Sequence, residues 1–254
     1  MKISVITVCY NAESTIVRAI DSFLEQDYVD RELIVIDGAS TDRTCEIVRS
    51  YEDKRITFSS EPDHGIYDAM NKGLSRVTGT AFGCLNSDDR YHSKKSLSLI
   101  ATALENSDIV SGRLHFVKDH DGSASVRIWQ PKRFHKGAYK WGFTLPHPTT
   151  YAHRAVLDRV GPFVTNLRSA SDYDWFIRAL ELEGFSHDVI EMVLVDMKIG
   201  GESTRGIRAI FNNSFEMLAV RRNRLGSGVI DAALFLNLFR KAGQIALPRL
   251  FRQS

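Results

Sequence analysis

Cysteine is scarce in this chain, which has three cysteines among its 254 residues. Cys9, Cys45 and Cys84 are far apart and show none of the short spacings that are typical of a metal site. Each lies in a stretch with apolar neighbours. We interpret all three as small buried side chains of a protein from a reducing compartment.

Long apolar runs are also absent. No stretch reaches the roughly 18–20 apolar residues that a membrane-spanning helix requires. The first residues, Met1-Lys2-Ile3-Ser4, lead into a strand pattern without the apolar core of a signal peptide. We therefore expect a cytoplasmic protein that can rest on a membrane surface.

The glycine-rich motifs of many nucleotide-binding proteins are missing. The first predicted strand is followed by Cys9-Tyr10-Asn11-Ala12, and no Walker-type sequence occurs anywhere. Phosphate charge would then have to be balanced by another group. A divalent cation, Mn²⁺ or Mg²⁺, held by Asp89 is the candidate, because these ions bind carboxylate oxygens together with substrate phosphates.

Charge is nearly balanced, with a net value of +2, but it is unevenly distributed. From Arg205 to the end there are nine basic and two acidic residues, which leaves 24 basic and 29 acidic residues upstream. The pattern predicts a slightly acidic body over residues 1–204 and a basic appendage over 205–254. A partner with phosphate groups is expected at the appendage, and no nucleic-acid partner is expected.

The first part of the chain alternates between strand and helix patterns. Ile3 to Cys9 is an apolar run rich in β-branched residues, and a helical apolar spacing follows it. A strand from Glu32 to Ile36, a helix from Thr41 to Tyr51 and a strand from Ile56 to Ser59 come next. This alternation predicts an α/β fold with a doubly wound, mostly parallel sheet.

The pattern changes after residue 90. Ser96 to Leu104 predicts a helix and Ile109 to Ser111 a strand. Leu114 to Val117 and Ser125 to Trp129 flank an Asp-Gly turn, which predicts a hairpin and hence a small antiparallel portion. Pro131 to Pro148 has no clear period, and we interpret it as a loop that covers a substrate.

The stretch from Glu61 to Asp89 is the candidate reaction centre. It runs from a Pro/Asp/His/Gly turn through a helical pattern and an apolar strand to two adjacent carboxylates, Asp88 and Asp89. Open α/β sheets bind their ligands beyond the carboxyl ends of the strands. The two acids are therefore expected at a metal or phosphate site.

Two amphipathic stripes follow Arg205, one from Ile207 to Ala219 and one from Ile230 to Phe239. One interpretation is a pair of helices that packs on the body. The other is a basic, apolar segment that lies on anionic lipid. The sequence pattern leaves both open.

Four segments, taken together, resemble one protein family. They are Ile6–Asn11, Ile36–Asp42, Glu61–Gly73 and Leu85–Asp89. In this order and spacing they resemble the family 2 glycosyltransferases of the GT-A fold, in the subgroup that makes bacterial exopolysaccharides of the colanic-acid type. The similarity extends over roughly residues 1 to 204.

The resemblance implies a site for a nucleotide-sugar donor. Thr7 and Tyr10 would hold the nucleobase and Asp37 would contact the nucleoside. Many relatives carry a second acid where this chain has Gly38, so the choice between uridine and guanosine stays open. The implied donor-binding residues are Thr7, Tyr10, Asn11, Asp37, Asp68, Asn71, Lys72 and Asp88. For Lys72, a solvated charge on a helix is the alternative.

The resemblance also implies which side chains take part in the reaction. Asp89 would be the metal ligand and Asp172 the catalytic base, with Asp174 as the competing acid and helix capping as the alternative role of Asp172. His147 and Trp141 would lie on the acceptor side, although a lone histidine such as His147 is often structural.

The expected function is therefore an inverting, metal-dependent transfer of a sugar from a UDP- or GDP-sugar to an oligosaccharide acceptor. The resemblance implies that the acceptor is lipid-linked and that the enzyme works at the inner face of the cytoplasmic membrane. Two alternatives from other classes stay open. One is a non-catalytic module that binds nucleotide sugars or glycans, and the other is a phosphohydrolase that uses Asp88 and Asp89.

Overall fold

The computed structural model describes residues 1–118, 125–199 and 206–226. The strands are β1 (Ile3–Cys9), β2 (Arg31–Asp37), β3 (Ile56–Ser60), β4 (Ala81–Cys84), β5 (Arg90–Tyr91), β6 (Ile109–Val117), β7 (Ser125–Trp129), β8 (Thr150–His153) and β9 (His187–Lys198). The helices are α1 (Ile16–Leu24), α2 (Thr44–Arg49), α3 (Ile66–Leu74), α4 (Ser96–Leu104), α5 (Arg154–Val160), α6 (Ser171–Phe176) and α7 (Gly206–Leu225). A π-helical turn, Ile177–Leu182, extends α6.

All nine described strands belong to one sheet, in the order β3-β2-β1-β4-β8-β6-β9-β5, with β7 paired to β6. The first four strands of this order are parallel, β8 is antiparallel to both of its neighbours, and β6 and β9 are parallel. The predicted α/β fold with a small antiparallel portion is confirmed. Because β1, β2 and β4 are parallel, the loops that follow them meet at one edge of the sheet.

The sheet separates two apolar layers. Side chains of β1 alternate between them, so that Ile6 and Val8 face one layer while Ile3 and Val5 face the other. The first layer is formed mainly by α3, α5, α6 and α7, and the second by α1, α2 and α4. Both faces of the parallel strands are thus covered, as their continuous apolar sequences predict.

Several element ends differ from the sequence prediction by one to three residues, and two of the differences have identifiable reasons. The helix predicted from Thr41 begins at Thr44, because Asp42 Oδ1 accepts the Thr44 N–H at 3.0 Å and residues 41–43 form a turn. The strands predicted on either side of Gly112 are one continuous strand, β6. A Cβ at Gly112 would overlap the side chain of Leu194, so close packing against β9 explains the glycine.

The predicted hairpin is present as antiparallel β6 and β7, with Leu114 opposite Trp129, while residues 119–124 lie outside the described residues. The predicted loop from 131 to 148 contains two short 3₁₀ helices, Ala138–Trp141 and His147–Thr149. The first tail stripe lies in α7, which packs on α6. The second, Ile230 to Phe239, lies outside the described residues.

A search of the described helices finds none with the length and apolar character needed to cross a bilayer.

Candidate active site

The loops after β1 and β2 are joined through Asn11. Its side-chain Oδ1 accepts the Thr41 N–H at 2.9 Å, and its own N–H donates to Ser40 Oγ at 2.8 Å. Its backbone is left-handed, with φ +49°, which asparagine tolerates better than most residues. The neighbouring Tyr10 is 63% exposed. Asn11 therefore fixes the two loops, and the Tyr10 ring is left open to a ligand.

Asp37, the last residue of β2, is fully buried. Its Oδ2 accepts hydrogen bonds from the Ser40 N–H at 2.9 Å, Ser60 Oγ at 2.7 Å and Cys45 Sγ at 3.1 Å. Burial acts to raise the pKa of Asp37, but the hydrogen bonds from Ser40 and Ser60 outweigh it and hold the pKa below its usual range. Asp37 is thus an ionised anchor for the loop that carries Gly38.

Thr7 lies in the middle of β1 and is fully buried, and its Oγ1 contacts no hydrogen-bond partner among the described residues. Neither Thr7 nor Asp37 reaches the surface. Of the predicted nucleoside-binding residues Thr7, Tyr10 and Asp37, only Tyr10 faces solvent.

The three cysteines differ in burial: Cys9 and Cys84 are buried as expected, whereas Cys45 is half-buried beside Asp37.

Asp68 and Lys72 of α3 face the loop that precedes the helix. Asp68 Oδ2 accepts the His64 N–H at 3.0 Å, and Lys72 Nζ donates to the Pro62 carbonyl at 2.7 Å. Lys72 Nζ also lies 3.7 Å from Asp68 and 3.5 Å from Glu61. Lys72 is therefore not a freely solvated charge, and together with Asp68 it holds the loop over residues 61–65 in place.

Asn71 points elsewhere on α3. Its Nδ2 donates to the Phe163 carbonyl at 2.8 Å, and its Oδ1 accepts the Phe163 N–H at 2.9 Å. Both ends of the amide are used in this pair. The side chain thus binds the segment between α5 and α6, away from the face shared by Asp68 and Lys72.

Asp89 is a buried acid. It follows β4, it is 1% exposed, and its Oδ2 accepts Asn86 Nδ2 at 2.8 Å. Its Oδ1 has no hydrogen-bond partner in the part of the chain that the structure describes. Burial, followed by the negative charge of Asp88, raises the pKa of Asp89 well above its usual range. An ionised carboxylate here fits a divalent cation, which would neutralise it and use the unpaired oxygen.

A second group of possible ligands lies across β5, β6 and β9. His92 Nδ1 and His115 Nδ1 are 2.7 and 2.9 Å from Asp196 Oδ1, close enough for a metal site. However, Arg90 Nε donates to Asp196 Oδ2 at 3.1 Å, so both carboxylate oxygens already have partners. Burial acts to raise the pKa of Asp196, but the hydrogen bonds from His92 and His115 outweigh burial, so the pKa lies below its usual value. This arrangement is a closed network, and Asp89 is the better candidate for a metal ligand.

Asp172 lies in the first turn of α6. Its Oδ1 accepts the Tyr67 hydroxyl at 3.1 Å and the Tyr173 N–H at 2.8 Å. Among the described residues, none donates a hydrogen bond to its Oδ2. Because burial and the charge of Asp172 raise the pKa of Tyr67, the tyrosine stays protonated and acts as the donor. A proton acceptor with one oxygen held and one available is suited to general-base chemistry.

Tyr67 was not predicted as a site residue. The available signal is its position next to Asp68, inside the segment Glu61–Gly73 that carries the resemblance. Its partner Asp172 is 105 residues away in the sequence, and no local pattern indicates that pairing.

Asp174, the competing acid, has a different environment. It is 2% exposed, with Arg178 Nε 2.8 Å from its Oδ2 and Arg224 Nε 2.7 Å from its Oδ1. Both oxygens are therefore held by guanidinium groups. The arrangement fixes α7 onto α6, and it leaves Asp172 as the acid able to accept a proton.

Asp172 lies near the end of β4, the strand that leads to Asp89. Its negative charge contributes, after burial, to raising the pKa of Cys84 to about 12. Cys84 is the last residue of β4, five positions before Asp89. Geometry also relates the two acids, because α6, which carries Asp172, packs on β4 with the ring centroids of Trp175 and Phe82 5.9 Å apart.

The two predicted acceptor-side residues differ in environment. His147 packs edge-on to Phe163 with ring centroids 5.9 Å apart, and it lines a small apolar cavity with Trp175. Burial lowers the pKa of His147, although the charge of Asp172 opposes this, so the ring is neutral at pH 7. Trp141, by contrast, is 65% exposed on the 3₁₀ helix Ala138–Trp141.

The mixed sheet, with the loops after β1, β2 and β4 at one edge, has the architecture of the GT-A fold. Staphylococcus aureus TarS, residues 1–349 in complex with UDP-GlcNAc, superposes with a TM-score of 0.69 at 22% identity, covering 96% of this chain and 72% of that one. The mannosyltransferase PcManGT from Pyrobaculum calidifontis, in complex with GDP-Man and Mn²⁺, gives 0.68 at 18% identity, covering 100% and 76%.

The sequence comparison identifies the family. Residues 4–160 match the model for Glycosyl transferase family 2, and the chain belongs to this family of glycosyltransferases. A PGL/p-HBAD biosynthesis glycosyltransferase of Mycobacterium tuberculosis is 27% identical over an alignment of 181 residues that covers 69% of this chain and 68% of the relative. Asp172 lies beyond the matched segment, so its assignment depends on the geometry described above.

Proposed function

We propose that this glycosyltransferase moves a hexose from a UDP- or GDP-sugar to a saccharide acceptor, with inversion and with a divalent cation. The observation that carries the proposal is the buried Asp89 oxygen that has no hydrogen-bond partner among the described residues, on the loop after β4, the strand on which the Asp172 helix α6 packs. The complexes of TarS with UDP-GlcNAc and of PcManGT with GDP-Man and Mn²⁺ support this choice of donor and cation. The acceptor is proposed to be lipid-linked, in the biosynthesis of a bacterial surface polysaccharide.

Asp89 would hold Mn²⁺ or Mg²⁺, which supplies positive charge for the phosphates of the donor. Asp88, directly before it, would contact the donor sugar or orient Asp89. Tyr10 would stack on the nucleobase. Asn11 and the buried Asp37 act on the nucleoside indirectly, by fixing the loops on which Tyr10 and Gly38 lie.

Asp172 would remove the proton of the acceptor hydroxyl as that oxygen attacks the anomeric carbon. The bond between this carbon and the diphosphate breaks, and the nucleoside diphosphate leaves with the electron pair. Attack from the face opposite the leaving group inverts the configuration. Tyr67 orients the carboxylate, and the exposed ring of Trp141 offers an apolar surface for an acceptor sugar.

A thermal-shift panel of UDP- and GDP-sugars, each with and without Mn²⁺, tests this function. A donor at 100 times its dissociation constant should stabilise the protein by about 2.7 kcal/mol and raise its Tm. We expect such a rise only with Mn²⁺ and one class of nucleotide. If no nucleotide sugar raises the Tm, the proposal is wrong.

Asp89→Asn should separate the role of the metal ligand from nonspecific ion effects. Without metal, the variant should melt above the wild type, because it removes a buried carboxylate that burial makes costly to ionise. With Mn²⁺ and donor, the order of the two melting temperatures should reverse.

Release of nucleoside diphosphate by the wild type distinguishes the glycosyltransferase from the two alternatives of other classes. A binding module releases none, and a phosphohydrolase releases phosphate or nucleoside monophosphate.

A further inference from the structure

Gly38 has no side chain, and the carboxylate of Asp63 occupies the space next to it. A Cβ built on Gly38 would overlap Oδ2 of Asp63 and would lie 3.2 Å from the Asp63 Cγ. It would also lie 3.5 Å from Cδ2 of the Tyr10 ring. The absence of a side chain at position 38 therefore makes room for Asp63 beside Tyr10.

Asp63 is held in a defined orientation. Its Oδ1 accepts the Gly65 N–H at 2.8 Å, and Gly65 has φ +113°, a conformation that favours glycine. Lys72 fixes the same loop through the carbonyl of Pro62 at 2.7 Å. Among the described residues, none donates a hydrogen bond to Oδ2 of Asp63. One oxygen is thus anchored and the other is available beside an exposed aromatic ring.

An aromatic face next to a carboxylate oxygen is suited to a nucleobase that presents a ring N–H. Uracil offers N3–H, and guanine offers N1–H with its 2-amino group. Cytosine and adenine present an unprotonated ring nitrogen at the corresponding position, which a carboxylate repels. The environment of Asp63 therefore favours uracil or guanine over cytosine or adenine.

We propose that Asp63 is the base-reading carboxylate of the donor site, in the space that the absence of a side chain at position 38 leaves beside Tyr10. Asp63 accepts the ring N–H of the nucleobase while Tyr10 stacks on its face. This inference rests on the proposed nucleotide-sugar function, and it adds the residue that selects the base.

Calorimetric binding of UDP, GDP, CDP and ADP with Mn²⁺ present tests the inference. Asp63→Asn should weaken binding of the preferred diphosphate by about 10- to 100-fold, as expected for a hydrogen bond to a charged group. The preference over CDP and ADP should fall by a similar factor. Asp30→Asn is the matched control, because Asp30 precedes β2 at the opposite edge of the sheet and should leave binding unchanged.

An exchange of the two positions sharpens the test. Gly38→Asp alone should weaken binding, because it forces two carboxylates into one space. The double variant Gly38→Asp/Asp63→Gly moves the carboxylate to position 38 and should recover most of the affinity and selectivity. If the loss of binding free energy in the double variant equals the sum of the losses in Gly38→Asp and Asp63→Gly, the two carboxylates do not occupy the same place.

Two results would count against the inference in distinguishable ways. If the wild type binds UDP or GDP selectively and Asp63→Asn binds them with unchanged affinity and selectivity, the role of Asp63 is wrong while the proposed function stands. If the wild type binds none of the four diphosphates, both are wrong. Measuring the Tm of each variant distinguishes a loss of binding from a loss of fold.

Discussion

Asp172 and Asp174 are two residues apart, yet their surroundings differ, and we propose different roles for them. Asp172 is half-buried and touches a tyrosine hydroxyl, whereas Asp174 is enclosed between Arg178 and Arg224. A carboxylate that must accept a proton needs an available oxygen, while one that joins two helices needs both oxygens paired. Side-chain direction on α6 produces this division, which the sequence alone leaves open.

The two acids provide a matched pair of variants. Asp172→Asn should lower kcat by at least about 100-fold while changing the Tm little, because it removes a proton acceptor from the site edge. Asp174→Asn should cost about 3 kcal/mol of stability, since it leaves two arginines without their counter-charge. Steady-state kinetics and thermal melts of both variants measure the difference. A loss of turnover in Asp174→Asn at an unchanged Tm would reverse the assignment.

We propose that Tyr67 is a positioning residue, because its hydroxyl donates a hydrogen bond to Asp172. Tyr67→Phe should lower kcat by about 10-fold while the KM for the donor stays constant, as the lost hydrogen bond lets the carboxylate turn. Tyr51→Phe is the control, since Tyr51 also donates to an aspartate, Asp21, at 2.8 Å, but on α2's side of the sheet. Equal effects of the two variants on kcat would show that Tyr67 has no special role.

The strands and helices follow patterns that are visible in the sequence. β1, α1 and α4 are predicted well. A continuous apolar run is typical of a strand that is covered on both faces, and apolar residues at helical spacing are typical of a helix with one buried face. The turn at Asp42 and the continuity of β6 through Gly112 are not predicted, because they depend on one hydrogen bond and on the packing of Leu194. Element type is thus local information, whereas element ends depend on tertiary contacts.

The start of β9 contains a buried histidine that should make the fold sensitive to acid. His187 accepts the Phe134 N–H at its Nδ1 at 3.1 Å, and its Nε2 pairs with Ser111 Oγ at 3.1 Å. Burial lowers the pKa of His187 to about 4 from 6.5. As the pH falls, the histidine of the unfolded chain therefore binds a proton at a higher pH than the histidine of the folded chain. The neutral, buried His187 stabilises the fold fully above pH 6.5, and this stabilisation is lost as the pH falls towards 4.

We expect His187 to account for about 3 kcal/mol of lost stability between pH 7 and pH 4. Urea unfolding of wild type and His187→Gln at several pH values measures it. The variant should be less stable at pH 7, because it lacks the imidazole, but its stability should fall less steeply with acid. Parallel pH curves for the two proteins would show that His187 does not titrate as proposed.

Across the whole molecule, the sheet brings together segments that are distant in the sequence. The residues after β1, β2 and β4 could be assigned to one edge from the strand pattern, because parallel strands share their carboxyl ends. The contact between Tyr67 and Asp172, which joins two helices, and the contact between Asp63 and Gly38, which joins two loops, could not be predicted, because only the folded chain fixes these relative positions. The position of the candidate metal ligand was therefore predictable, whereas the positions of the residues that we propose to orient the base and to read the nucleobase were not.

The basic C-terminal region divides into two parts with different expected roles. In α7, Arg221 donates to the Tyr173 hydroxyl at 3.0 Å and Arg224 pairs with Asp174. These charges therefore contribute to packing on the body. Residues 227–254 have four more basic residues and one acid, and we propose that this part attracts anionic lipid. A truncation that tests lipid binding should accordingly end at Gly226 and keep α7.

The chain truncated after Gly226 should keep the Tm of the full chain but lose flotation with vesicles that contain phosphatidylglycerol. Each basic residue near an anionic surface contributes about 1 kcal/mol, so replacing Arg240, Lys241, Arg249 and Arg252 by Gln should reduce flotation nearly as much as the truncation does. Vesicles of phosphatidylcholine alone are the control, and they should bind the full chain and the Gln variant equally weakly. Equal flotation of the truncated and full chains on anionic vesicles would instead favour a purely structural role for the C-terminal region, because its charge would then contribute nothing to lipid binding.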